Sequence, residues 1–171
     1  MKNTLTTVCF TGHRPEHFEL TERQAKAILR PAIYAAVRKG ATNFISGMQR
    51  GIDLWAADIV LELKKTNPKI KLYAAVPFHG KIFTSKWQQA DKKHYATVLS
   101  QADGVHYCAK QFDIAAYETR NRFMIDRADL VIACWNGKES GGTYNAVKYT
   151  ESQKKSFVNC FNKKGLLVSP F

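Results

Sequence analysis

Apolar positions along this chain fall into two rhythms that take turns. Short unbroken or alternating runs read as strands, at 4–10, 42–46, 70–76, 104–108, 130–134 and 156–161. Between them apolar residues recur every three or four positions, the spacing of a helix with one buried face. The plainest case follows Asn43-Phe44-Ile45, where apolar side chains stand at 52, 55, 56, 59, 60 and 63. Further helices are expected from a Thr21–Gln24 capping box to Gly40, and near 84–100, 113–127 and 143–153. Pro31 interrupts the first of these and predicts a kink, or a second helix with Pro31 at its first position. Leu130-Val131-Ile132-Ala133-Cys134 is apolar throughout, as expected of a parallel strand covered on both faces. Strand and helix alternate along the chain, so the fold class is α/β, a three-layer sandwich with a mostly parallel central sheet. No repeat, linker or low-complexity segment divides it. Residues 1–171 read as one domain, with a core near 4–161 and a short basic tail, 162–171, that has room for an edge element.

In open parallel sheets ligands bind beyond the carboxyl ends of the strands, and three strand ends here carry anion-binding equipment. The first is Gly12-His13-Arg14 and the second is Ser46-Gly47-Met48-Gln49-Arg50-Gly51-Ile52-Asp53. In the second, Gly47 and Gly51 allow close backbone approach, the helix start offers free N–H groups, and the Arg50 guanidinium suits phosphate. Asp53 has two readings, a first-turn acid favoured by the helix dipole or an acceptor for a ribose hydroxyl. The third strand end is Ser140-Gly141-Gly142-Thr143, which opens a helix and reads either as an ordinary cap or as a phosphate site. Trp135 is placed to stack on a base or to pack at the rim. His13 has no carboxylate partner in view, so phosphate contact fits it better than proton transfer. Arg120, Arg122 and Arg127 read as a solvated helix face unless a ligand recruits them.

Composition adds bounds. The 26 Lys and Arg exceed the 14 Asp and Glu, and the net charge of +12 favours polyanions, so nucleic acid is an allowed partner. The basic residues are scattered or paired, however, as on an ordinary solvated surface. No apolar run nears the roughly 20 residues that span a bilayer, and the N-terminus lacks a signal-peptide pattern. A cytoplasmic protein with no membrane partner is expected. Cys9, Cys108, Cys134 and Cys160 sit in or at the end of apolar runs without CxxC spacing, so they read as core residues, with no metal and no disulfide framework. Ser-His-Asp, P-loop and GxGxxG patterns are absent, which argues against conventional NAD dehydrogenase chemistry; no cofactor is expected.

Three stretches carry a resemblance. Phe10-Thr11-Gly12-His13-Arg14-Pro15, the run from Ser46 to Ala57, and Arg120-Asn121-Arg122-Phe123-Met124 followed by Gly142-Thr143 resemble the DUF1273 (YpsA-like) proteins of the SLOG superfamily. That superfamily is named for the DNA-processing Smf protein and the LOG cytokinin-activating enzymes. The resemblance runs from about residue 5 to 161 and implies a Rossmann-like nucleotide-binding fold, with nucleotide sensing or processing as its activity. LOG enzymes hydrolyse the N-glycosidic bond of a nucleoside monophosphate with an arginine and the glutamate of a PGGxGTxxE loop. Arg120 matches the arginine as a catalytic candidate, but Ala146 stands where the glutamate belongs, leaving Glu118 or Glu139 as substitutes. Smf-type relatives bind single-stranded DNA through an SGxARGID-like motif close to Ser46–Asp53.

The reading that results is a nucleotide-binding, sensor-like protein. Arg14, Arg50 and the Gly141-Gly142-Thr143 helix start hold phosphate, Asp53 or Asn145 contacts sugar, and Trp135 stacks on the base. The alternatives are a nucleotide N-glycosidase with a non-standard carboxylate and a single-stranded-DNA binder. The base, the phosphate count and the pathway stay open, as does a homo-oligomer, LOG-type relatives often being dimers.

Overall fold

The computed structural model describes residues 5–161. Six strands form one wholly parallel sheet: β1 (Thr7–Gly12), β2 (Asn43–Ser46), β3 (Lys71–Phe78), β4 (Gly104–Ala109), β5 (Leu130–Cys134) and β6 (Ser156–Asn159). Five helices connect them: α1 (Glu22–Arg38), α2 (Ile52–Thr66), α3 (Gln89–Gln101), α4 (Ala116–Arg127) and α5 (Gly142–Ser152). The spatial order is β4-β3-β2-β1-β5-β6. The fold is therefore the Rossmann-like α/β sandwich that the alternating pattern predicts.

Period-two alternation assigns the two faces of the sheet. Val8, Phe10, Phe44, Leu72 and Val76 pack with α1, α2 and α3, and Phe10 stacks on Phe44 at 6.1 Å between ring centres. Cys9, Ile45, Ala75 and Val131 point the other way, against Met124 and Ile125 of α4 and Ala146 of α5. β5 is buried at all five positions, as its apolar run requires. The predicted face of α2 is buried from Ile52 to Val60 and partly buried at Leu63, and Asp53, Leu54, Ala57 and Leu61 are buried with it. This helix lies between α1 and α3, so its flanks are covered as well as its base.

Local signals set most of the boundaries. The Thr21 hydroxyl accepts from the Gln24 N–H while Gln24 Oε1 accepts from the Thr21 N–H, so the expected capping box starts α1. Of the two outcomes expected at Pro31, a kink or a second helix, the second helix is not formed: α1 runs unbroken from Glu22 to Arg38. Pro31 and Ala27 both face solvent, so the carbonyl deprived of the missing N–H is hydrated rather than buried. Pro77 lies inside β3, past the last β2–β3 pair at Ser46↔Ala74, where a missing donor breaks no ladder on that side. α3 begins later than its periodicity suggests, because Lys81–Thr84 forms a separate 3-10 turn. Cys9, Cys134 and Cys160 are buried as expected, whereas Cys108 is only half-buried because β4 is an edge strand. The basic tail and its edge element lie outside the described residues. Among those described, no helix is long and apolar enough to cross a membrane.

Candidate functional site

Strand order reverses beside β1: the chain works outward through β2, β3 and β4, then returns to place β5 on the other flank. Such a switch point splays the loops after β1 and β5 apart and leaves a crevice above the strand ends. A cavity of about 600 Å³ occupies it. Nine of the fourteen sequence-selected residues line it: Gly12, His13, Arg14, Asp53, Arg120, Gly141, Gly142, Thr143 and Asn145.

Its floor holds two buried charged groups. Arg120 is 7% exposed and Asp53 is 6% exposed. Arg120 donates from Nη1 to the Gly47 carbonyl and from Nε to Asn121 Oδ1 at 2.9 Å. Asp53 Oδ2 accepts from the Gln49 N–H at 3.3 Å. Met48 adopts a left-handed conformation (φ 61°) that allows this tight turn, and the Ser46 hydroxyl braces it, donating to the Asp53 carbonyl and accepting from the Met48 N–H. Gly47 separates the two charges: a Cβ there would lie 2.7 Å from Asp53 Oδ2 and 3.0 Å from Arg120 Nη1. Burial pushes the Asp53 carboxyl up to about 6, against the opposing pull of Arg120 and the Gln49 N–H. A buried carboxyl raised in this way suits a proton carrier or an acceptor for a hydroxyl.

At the rim, α5 starts on Gly141 (φ 88°) without a capping side chain, and a Cβ at Gly141 or Gly142 would meet nothing within 4 Å. Its first-turn N–H groups open onto the cavity, the geometry that receives an anion. Lys138 and half-exposed Arg14 line the same cavity. His13 is buried, its ring lies over Phe18 at 5.9 Å, and its Nε2 accepts from the Asn136 N–H at 3.2 Å. Burial pulls its pKa below the usual histidine value, so it is a neutral acceptor tying the β1 loop to the β5 loop. Gly12 and Gly51 serve close packing: a Cβ at Gly12 would collide with Ile52 at 2.5 Å, and one at Gly51 with the His13 carbonyl at 2.7 Å.

Five selected residues lie outside the lining. Ser46, Gly47 and Gly51 support it from behind as described. Arg50 turns away, with Nη2 on Glu16 at 2.7 Å, Nη1 on Asp91 at 3.5 Å, and its guanidinium 5.6 Å from the Trp87 ring centre. Trp135 folds onto its own loop, donating from Nε1 to the Lys138 carbonyl at 2.9 Å, beside Tyr144. Of the two substitute carboxylates, Glu118 reaches the cavity but is bonded to Arg122 at 2.9 Å, and Glu139 is not part of the lining. Gln49, Asn121, Tyr117 and Ile114 line the cavity without having been selected. The signal for the last was present: Phe112 and Ile114 are apolar residues stranded in a short polar loop. Among the described residues, no group of three or more His, Cys, Asp or Glu side chains is placed to hold a metal ion.

Comparison with known proteins follows the same outline. The YpsA family model, described as the YspA SLOG family, matches residues 8–163. A UPF0398 protein of Halalkalibacterium halodurans is 31% identical over 111 residues, covering 64% of this chain and 58% of that protein. UPF0398 proteins of Bacillus thuringiensis (strain Al Hakam) and Bacillus cereus (strain AH187) are 25% identical over 173 residues, covering 96% of this chain and 92% of theirs.

Proposed function

The chain belongs to the YpsA SLOG family, and from that premise we propose that the crevice beside β1 binds a nucleotide or nucleotide derivative. Its phosphate sits at the N-terminus of α5, with Lys138 and Arg14 adding positive charge, and its sugar faces Asp53, Arg120 and Asn145. The observation that carries this reading is the uncapped start of α5, open to a cavity whose floor is a buried arginine and carboxylate. Anion and hydroxyl recognition are then available in one cavity, as a sugar phosphate requires.

One observation favours a second reading, in which the same site cleaves the N-glycosidic bond of its nucleotide. Asp53, raised to about 6 and set beside Arg120, supplies the non-standard carboxylate that such an enzyme needs.

A thermal-shift panel tests both readings: nucleoside monophosphates, ATP, NAD, ADP-ribose, cyclic nucleotides and a single-stranded oligonucleotide. A ligand at about 100 times its dissociation constant adds about 2.7 kcal/mol. A shift with one small nucleotide supports binding, and free base released from it establishes cleavage. A shift with the oligonucleotide alone, falling steeply with salt, replaces both readings by nucleic-acid binding.

A further inference from the structure

We infer that the β4–α4 junction, through Ile114 and Tyr117, is the subsite that receives the planar ring of the bound nucleotide, an inference that rests on the nucleotide reading above. Ile114 is 76% exposed, the most exposed large apolar side chain among the described residues, and it lines the cavity. Phe112, in the same loop, is 51% exposed. Single exposed apolar residues are ordinary. Phe112 packs edge-on against the aromatic cluster beneath, whereas Ile114, two positions on, lines the cavity. Phe78 is fully buried and takes Phe112 and Tyr117 edge-on, at 5.2 Å and 5.7 Å between ring centres. Tyr117 is thus fixed from behind and half-exposed toward the cavity.

The sheet sets the order of the subsites. From β5 through β1 and β2 to β3 is three strand spacings, about 14 Å. α5 follows β5 in the chain, α2 with Asp53 follows β2, and Arg120 bonds to the Gly47 carbonyl just past the β2 end. Tyr117 rests on Phe78 at the β3 end. A nucleoside monophosphate presents phosphate, sugar and ring in that same sequence. Trp135 follows β5, beside the phosphate end, and is not part of the cavity lining. The ring therefore belongs at the far end, on Tyr117 and Ile114.

The test is isothermal titration of the full chain with ribose 5-phosphate and with AMP, GMP, CMP and UMP, in wild type, Ile114→Ser and Tyr117→Ser. Ring stacking is worth about five- to a hundredfold in affinity. Wild type is expected to bind its preferred monophosphate at least tenfold tighter than ribose 5-phosphate. Each substitution is expected to narrow that ratio while leaving ribose 5-phosphate affinity unchanged. Ile114→Ser alters a side chain that is mostly in solvent, so it reports even if Tyr117→Ser fails to fold. An advantage that survives Ile114→Ser undiminished, or no advantage in wild type, overturns the ring subsite and leaves the pocket reading standing. Binding of neither class to wild type overturns the ring subsite, and the pocket reading falls with it when the wider nucleotide panel also gives no thermal shift.

Discussion

Arg120 on α4 donates to the main-chain carbonyl of Gly47, 73 positions earlier in the chain, where β2 ends. This bond closes α4 over the β2–α2 turn and brings a guanidinium to a buried carboxylate, Asp53, with only a glycine between them. Charges so deeply buried are tolerated only with partners. Gly47 therefore has a steric duty that any side chain would break.

Gly47→Ala would insert a methyl group 2.7 Å from Asp53 Oδ2 and 3.0 Å from Arg120 Nη1, so one of the two must move. The expected cost is about 1–3 kcal/mol, read from urea denaturation, with loss of any nucleotide-induced thermal shift. An alanine variant with wild-type stability would show that the two charges are free to part.

The glycines at the other loops should behave oppositely to one another. A Cβ at Gly142 meets nothing within 4 Å, so Gly142→Asp is expected to fold with a stability change below about 0.5 kcal/mol. Its carboxylate would occupy the α5 N-terminus, and phosphorylated ligands should bind about tenfold more weakly or worse. Gly12→Ala, by contrast, presses on Ile52 at 2.5 Å and is expected to destabilise by about 1–3 kcal/mol whether or not ligand is present. Titration calorimetry with ribose 5-phosphate, alongside thermal melts, separates the two effects.

Features decided by neighbours in sequence were legible in advance. The Thr21–Gln24 box, the buried run of β5 and the glycine start of α5 at Gly141 all depend on residues a few positions apart. What the sequence hid were the long-range partners. Arg50 reads as a free loop cation until Glu16 and Asp91 arrive from 34 positions before and 41 after. Trp135 is a local exception: its ring N–H donates to the Lys138 carbonyl three positions on, and it lies outside the cavity lining. Tyr117 gains its place only when Phe78 is beneath it. Asp53 reads equally as a first-turn acid or as an acceptor for a sugar hydroxyl; its raised pKa comes from burial, which no local pattern announces.

Pro31 offers a stability test of the same kind. It sits within an unbroken α1, faces solvent, and leaves the Ala27 carbonyl without its helical donor. Pro31→Ala restores that bond and removes the ring's clash with the preceding turn, and it is expected to stabilise by about 1–3 kcal/mol. Part of this gain is offset because proline also restricts the unfolded chain. A lowered melting temperature would show that the proline's restriction of the unfolded chain outweighs the bond it removes.

The docking of α3 should depend on pH through a junction remote from the cavity. Asp58 of α2 accepts from Lys26 of α1 at 2.7 Å and pairs with His94 Nε2 of α3 at 2.8 Å. The hydrogen bond to Asp58 holds the His94 pKa above the usual value, although its partial burial pulls the other way. Burial alone would push the Asp58 carboxyl up, but its bonds to His94 and Lys26 outweigh that and keep it below the usual range. For His94 the folded pKa exceeds the unfolded one, so its contribution is complete below the unfolded value and fades as pH rises through the folded one. For Asp58 the order is reversed, and its contribution is complete above the unfolded carboxylate value and lost as pH falls through the folded one. The junction is therefore strongest in mildly acidic solution, between the two transitions. His94→Gln is expected to cost about 1–2 kcal/mol at about pH 5.5 and clearly less at about pH 8.5, measured by urea denaturation. An equal cost at both values would mean that His94 holds α3 by packing rather than by its charge.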